Sequence, residues 1–371
     1  MTVARRARRP VPVIPFAVLL TVVGLLISTG LATPGRAATI SSGSTATQQG
    51  VNVYVEENGE AADQWQADAT NEMKGIKSLD ANAVAIAFPF YTPSLDANCV
   101  YANTANNCDE STSDPDSKAP APARVAVLVK AAQLAGLHVL LRPLLDQDNL
   151  GPDYWRGDID PTKRSNWFSS YESVLRPYLV MANTDKVTGF TISLELASLA
   201  TATQWPSVIT WAKKLYHGQL VFATSWRGSV HNGKGEVHAG TSVGMDSYPD
   251  LTHATPSWSV AQLLAGWNAY LKSKPYGTAD TKVTIDEIGI EAVDGAYKTP
   301  NIAVNGAFNQ SIQANWFKAA CDFYKDHKQS GIYFWGPDFT FNDGNLTSAP
   351  DPSQPEQLQP AGWAAIKACF K

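Results

Sequence analysis

Acidic side chains at the ends of apolar runs are the groups of this 371-residue chain best placed to do chemistry. One run reads Gly189-Phe-Thr-Ile-Ser-Leu194 and ends on Glu195; another reads Val283-Thr-Ile-Asp-Glu287. Alternate residues of a strand share a face, so Thr191, Ser193 and Glu195 fall on one side and Ile192, Leu194 and Leu196 on the other. The apolar side is expected to pack on helices, which turns Glu195 inward. The second run leaves a choice, because Glu287 shares a face with Val283 and Ile285, and Asp286 with Lys282 and Thr284. An apolar outer face favours Asp286 as the inward group, and alternation alone does not decide. Two carboxyl groups facing each other across a cavity can cleave a glycosidic bond. At a separation of roughly 5–5.5 Å one attacks the anomeric carbon while the other protonates the leaving oxygen. The acid needs a pKa raised by burial or a neighbouring negative charge, and the nucleophile must be kept ionised by hydrogen bonds. A single acid is more often a solvated group or a salt-bridge partner. The pair is what points to chemistry.

Such a pair needs a scaffold that brings distant segments to one mouth. Short runs rich in Val, Ile, Phe and Leu recur along the chain: Val51–Val55, Ala83–Phe88, His138–Arg142, Gly189–Leu194, Leu220–Thr224, Ser242–Met245, Val283–Glu287 and Gly331–Trp335. They read as buried parallel strands. Segments with three-to-four spacing of apolar residues lie between them: Ala61–Leu79, Ala123–Ala135, Asn166–Ala182, Trp205–Tyr216, Ser259–Lys272, Phe308–His327 and Gly362–Phe370. Strands alternating with helices on one domain's length predict an α/β fold, a single-domain (β/α)8 TIM barrel whose active site lies at the carboxyl ends of the strands. An open doubly wound sheet is the rival. However, Val51-Asn-Val-Tyr-Val-Glu56 leads into Glu57-Asn-Gly59 with no G-x-G-x-x-G phosphate loop.

Four basic residues between prolines, Arg5, Arg6, Arg8 and Arg9, precede an apolar run from Val13 to Ala32 and a small-residue stretch to Ala38. This is the pattern of a secretory signal peptide, with cleavage expected after Ala37 or Ala38. The expected organisation is a signal peptide over 1–37, a flexible lead-in over 38–49 and a catalytic domain over 50–371. An uncleaved membrane anchor is the alternative. The formal charge of −5 becomes about −10 without the leader, and the remaining chain has no Lys/Arg cluster of the kind phosphate binding requires. A nucleic-acid partner is therefore not expected, nor stable membrane association after cleavage, and the protein is expected to be a monomer. Export favours disulfides. Cys99 and Cys108 bracket a polar loop, which makes them one expected pair, leaving Cys321 and Cys369 to join the last two helical segments. No Cys-x-x-Cys spacing occurs, so no zinc site and no cofactor is expected. Asp146 and Asp148 resemble half a calcium loop but lack its terminal acid, and read as a solvated loop.

Several segments are similar to those of clan A retaining glycosidases, and most of all to glycoside hydrolase family 113, the β-mannanases. They are Phe88-Pro-Phe-Tyr91, Gly136-Leu-His-Val-Leu-Leu-Arg-Pro143, Tyr154-Trp-Arg-Gly-Asp-Ile159, Trp167-Phe-Ser-Ser-Tyr171, Ile192-Ser-Leu-Glu195-Leu196, Met245-Asp-Ser-Tyr248, Asp286-Glu-Ile-Gly289 and Tyr333-Phe-Trp335. The Trp-Arg-Gly and Glu-Ile-Gly segments are the more specific. The resemblance implies a polysaccharide or oligosaccharide substrate, mannan first, with Glu195 as acid/base and Glu287 as nucleophile. Two departures fall at positions that line the sugar site: Leu194 stands where the clan usually has asparagine, and Arg142-Pro-Leu144 where the family has Lys-Pro-His. Candidate substrate contacts are Asn52, Tyr54, Arg142, Trp155, Arg156, Trp226, Tyr248 and Trp335. Tyr248 is placed to hydrogen-bond the nucleophile, Arg142 to meet sugar hydroxyls or orient a carboxylate, and the tryptophans to offer flat faces to sugar rings; core packing is the plain alternative for each aromatic. A catalytically inert carbohydrate-binding barrel is the alternative function. An esterase is disfavoured by the absence of G-x-S-x-G.

Overall fold

All eight expected strands form, and they close on themselves. The computed structural model describes residues 47–102, 108, 118–147, 150, 154–225, 238–272, 283–338 and 349–371. Within it β1 (Gln48–Tyr54), β2 (Ala83–Phe90), β3 (His138–Leu145), β4 (Gly189–Leu194), β5 (Gln219–Ser225), β6 (Ser242–Asp246), β7 (Val283–Ile288) and β8 (Gly331–Asp338) pair in parallel in chain order, and β8 returns to β1. Seven helices surround them among the described residues: α1 (Ala62–Lys77), α2 (Pro122–Leu134), α3 (Arg164–Thr184), α4 (Trp205–Leu215), α5 (Val260–Lys272), α6 (Gln310–Asp326) and α7 (Pro360–Cys369). The fold is the expected (β/α)8 barrel. β1 starts at Gln48, so the last two residues of the expected lead-in belong to the sheet. The expected leader and the lead-in up to residue 46 lie outside the described residues.

Local chemistry sets the helix limits. Proline opens the first turn of α2, α4 and α7, where its missing N–H would have had no helical partner anyway. Left-handed residues follow the ends of α1, α2, α3 and α6: Asp80, Gly136, Lys186 and Lys328. Each reverses the chain into the next strand.

Five tryptophans, Trp65, Trp167, Trp205, Trp267 and Trp316, are fully buried, one from each of five helices, and join the main apolar core with outward strand residues such as Ile86, Phe190, Phe222 and Ile285. At roughly 200 Å² apiece, each such burial corresponds to about 5 kcal/mol of transfer free energy. A second, smaller core fills the barrel. Its lower layer holds Ala83, Ala85, Leu140, Val221 and Tyr333, and its upper layer Ala87, Leu144, Leu194 and Ala223, against which Tyr54 and Trp335 pack.

Strict alternation fails where the chemistry is expected. On β4, Thr191 pairs with Val221 but Ser193 already pairs with Phe222, so β4 carries one residue more than β5. Leu194 consequently faces the barrel interior beside Ala223, the opposite of what alternation predicts. β7 likewise carries one residue more than either neighbour, between Ile285 and Ile288. Bulges of this kind re-aim side chains and concentrate near active sites.

Candidate active site

The extra residue on β7 removes the choice between Asp286 and Glu287, because both turn away from the helices. Ile285 and Ile288 take the outer positions in the main core. Asp286 is buried, with one carboxylate oxygen filling the space a side chain on Gly244 would need: a Cβ there would lie 1.8 Å from Asp286 Oδ2. That oxygen has no hydrogen-bond partner among the described residues, and burial pushes the Asp286 carboxyl up to about 7, against the pull of Arg142. Glu287 pairs in register with Asp246 and reaches the mouth.

Arg142, fully buried, is the hub beneath Glu287. Its Nη2 donates to both oxygens of Asp246 at 2.7 and 2.8 Å and lies 3.3 Å from Glu287 Oε2. Its Nη1 donates to Asn52 Oδ1 at 3.0 Å and to the Asp286 carbonyl, which also accepts from Asn52 Nδ2 at 2.8 Å. Burial opposes the arginine's charge, but Asp246, Glu287 and Asp286 more than offset it. Burial also pushes Asp246 up, against Arg142; the two-pronged contact, with both oxygens accepting, is that of an ionised carboxylate. Of the two roles expected for Arg142, this geometry fits the orienting of a carboxylate, and Asn52 braces it from below.

Tyr248 donates its hydroxyl to Glu287 Oε1 at 2.7 Å. Gly289 makes room, since a Cβ there would stand 3.3 Å from the Tyr248 hydroxyl and 3.0 Å from Trp335 Cβ. Burial raises the Glu287 pKa and the charge of Glu195 adds to the effect, while Arg142, Tyr248 and Arg156 work to keep it ionised. The two glutamates are thus near enough to sense each other across the mouth.

Glu195 follows β4 in a left-handed conformation, φ 55°, at a cost of roughly 1–2 kcal/mol for a residue with a side chain. Its backbone is held there by Glu195 N–H donating to Ala223 O at 3.0 Å and Ala197 N–H donating to Glu195 O at 2.9 Å. Its side chain is buried and meets the segment after β3: Arg156 Nη1 donates to Oε2 at 2.9 Å and Trp155 Nε1 to the same oxygen at 3.4 Å. A small cleft beside Glu195 opens between the ends of β4 and β5, lined by Leu196, Ala197, Ala200, Thr224 and Ser225.

Tyr54 and Trp335 close the side between β1 and β8, with ring centroids 6.2 Å apart and planes 37° apart. Trp335 is only half-buried, unlike the tryptophans of the helices. The Tyr54 hydroxyl donates to Asp146. Asp146 is therefore a buried partner at the end of β3, in place of the expected solvated loop. Asp148 and Trp226 lie outside the described residues. Both expected disulfides are present, Cys99–Cys108 and Cys321–Cys369, with Cα separations of 5.6 and 5.7 Å. Asp246 escaped the sequence reading. Its signal is the β6 face shared by Ser242, Gly244 and Asp246, small residues ending in an acid.

The model of Glycoside Hydrolase Family 113 matches residues 57–343. No curated protein sequence matches. Among solved structures, a GH113 β-1,4-mannanase complex is similar at 15% identity with a TM-score of 0.65, over 88% of this chain and 99% of that one. The GH113 β-mannanase AaManA from Alicyclobacillus acidocaldarius in complex with ManMIm gives 15%, 0.65, 87% and 97%. GH5_18 from Streptomyces cattleya in complex with GlcNAc gives 13%, 0.55, 88% and 80%. At these identities the structural likeness speaks for the fold.

Proposed function

Because the chain belongs to glycoside hydrolase family 113, we propose that it is a secreted retaining β-mannanase in which Glu287 is the nucleophile and Glu195 the acid/base. The observation that carries this reading is the unequal holding of two buried glutamates at one mouth. Glu287 receives Tyr248 at one oxygen and faces Arg142 at the other, the surroundings of a carboxylate kept ionised to attack. Glu195 reaches the mouth from another strand and keeps one oxygen without a hydrogen bond among the described residues.

In the first half-reaction a Glu287 oxygen bonds to the anomeric carbon as the bond to the leaving oxygen breaks, and that oxygen takes the Glu195 proton. In the second, water attacks the same carbon, gives its proton to Glu195, and releases Glu287. Trp155, Trp335 and Tyr54 are the proposed walls of the sugar site, whose floor is the apolar layer of Ala87, Leu144, Leu194 and Ala223. Mannan as substrate is supported by the mannanases among the structural relatives. Secretion is supported by the sequence of the leader and by the two disulfides.

The test follows the first-formed anomer by proton NMR during hydrolysis of a soluble β-mannan oligosaccharide. Retention is expected, and Glu287→Ala is expected to lower kcat by about 10⁴-fold or more, as loss of a nucleophile does. Inversion, or full activity in the variant, sinks the mechanism. Sugar binding with no reducing ends released identifies an inert binding barrel instead.

A further inference from the structure

The Trp155-Arg156-Gly157 segment has a geometry that a simple sugar contact does not require. Arg156 is anchored at two points: Nε donates to Leu145 O at 2.8 Å, where β3 ends, and Nη1 to Glu195 Oε2 at 2.9 Å. Trp155 Nε1 reaches the same Oε2 at 3.4 Å. The indole lies folded over Gly157, where a Cβ would come within 2.1 Å of the ring. Only glycine leaves room for it. The turn that follows is tied down by Asp158 N–H donating to Trp155 O at 2.8 Å and Asp160 N–H donating to Leu95 O at 2.8 Å. Both donors converge on one oxygen, and among the described residues no hydrogen bond takes the other.

From this geometry we propose that Trp155, Arg156 and Gly157 form a clamp that holds Glu195 Oε2 and so assigns proton transfer to Oε1. This rests on the acid/base reading of Glu195. An oxygen accepting from a guanidinium and an indole N–H has no place for a proton of its own, so the acid form carries its proton on Oε1. In the first half-reaction that proton passes to the leaving oxygen, which keeps the electron pair of the broken bond. Glu195 becomes an anion countered by Arg156. In the second half, Oε1 takes a proton from water as the water oxygen bonds to the anomeric carbon and the ester to Glu287 breaks, its electron pair returning to Glu287. Trp155 and Arg156 are positioning residues in this scheme, and Gly157 is the space that admits the indole.

The test compares Arg156→Met, Arg156→Lys and Gly157→Ala on an oligosaccharide and on the matching dinitrophenyl β-glycoside, whose leaving group departs without a proton. With Arg156→Met and Gly157→Ala, kcat on the oligosaccharide is expected to fall about 10- to 100-fold, a part of the roughly 10²–10⁴ a placed acid/base supplies. On the dinitrophenyl glycoside kcat and KM are expected to fall together, because the intermediate accumulates, and azide, a nucleophile that needs no base, restores turnover. Arg156→Lys keeps the charge and recovers part of the loss. Equal losses on both substrates without an azide response make the segment merely structural and overturn the clamp. A rise in KM at unchanged kcat overturns it in favour of a sugar contact. Glu195→Ala is the control for the underlying reading: azide-restored turnover supports the acid/base role, and if Glu195→Ala lacks it, that role fails first and takes the clamp with it.

Discussion

A carboxylate buried beside another carboxylate resists ionisation, and Glu287 is both. Burial is the larger cause of its raised pKa and Glu195 the next; Arg142, Tyr248 and Arg156 oppose them. Glu287 must be ionised to attack, so kcat/KM should fall as pH drops through its pKa, and that acid limb lies above the ordinary range of a glutamate. Tyr248 donates to the ionised form. Removing the hydroxyl in Tyr248→Phe therefore raises the pKa further. The expected outcome is an acid limb moved to higher pH and a loss of about 10- to 100-fold below it, on the order of the ~1.5–3 kcal/mol of a hydrogen bond to a charged group. A pH–rate profile checks both; an unmoved limb means Tyr248 does not act on Glu287. The side chains themselves were legible from their place at strand ends. Of their partners Tyr248 and Arg142 were legible and Asp246 was not, since it meets Arg142 across a barrel from a position 104 residues away.

At the scale of the element, irregularity carries the site. Strands were legible because apolar runs of the right length announce them, and the helices because their spacing does. What sequence periodicity misses is a residue that breaks the period: the surplus positions on β4 and β7 reverse Leu194 and admit Asp286 and Glu287 together. No residue type marks them; hydrogen bonding to neighbouring strands decides. Helix α1 carries a different irregularity. Glu72 lies on its buried face with Oε1 unpartnered among the described residues, and burial pushes its pKa to about 8. A raised carboxyl pKa means the folded form holds a proton that the unfolded form releases. Stability is therefore full below about pH 4 and is lost as pH rises towards 8. Asp286, at about 7, acts in the same direction. Glu72→Gln removes the first contribution, so it should raise stability at pH 8 by about 4 kcal/mol at most and change little at pH 4. Urea unfolding at the two pH values measures this; a variant less stable at pH 8 reveals a partner for the charge.

For the molecule as a whole, closure and crosslinking matter more than any one contact. A barrel has no free sheet edge, and here α7 takes the last outer position by docking on α6. The Cys321–Cys369 bridge fixes that docking across 48 residues. By loop entropy the bridge contributes about 4 kcal/mol. Replacing both cysteines with alanine should lower Tm by roughly 6 °C, given about 2.1 cal/mol/K per residue of unfolding entropy over the barrel. Calorimetry at pH 5 gives the comparison, and an unchanged Tm shows that α7 holds by packing alone. Both bridges were legible because Cys99 and Cys108 bracket one short loop and leave the other two cysteines as a pair, as was the barrel, because eight strands on one domain's length leave few alternatives.

The surplus residue of β7 bears on any attempt to improve this scaffold. Trimming it would give a textile of even weave, each strand in step with the next, and a sounder object by the usual criteria of design. A single inward position would then remain between Ile285 and Ile288, where two acids now stand. The tidier barrel would keep either the acid packed against Gly244 or the one beneath Tyr248, and never both.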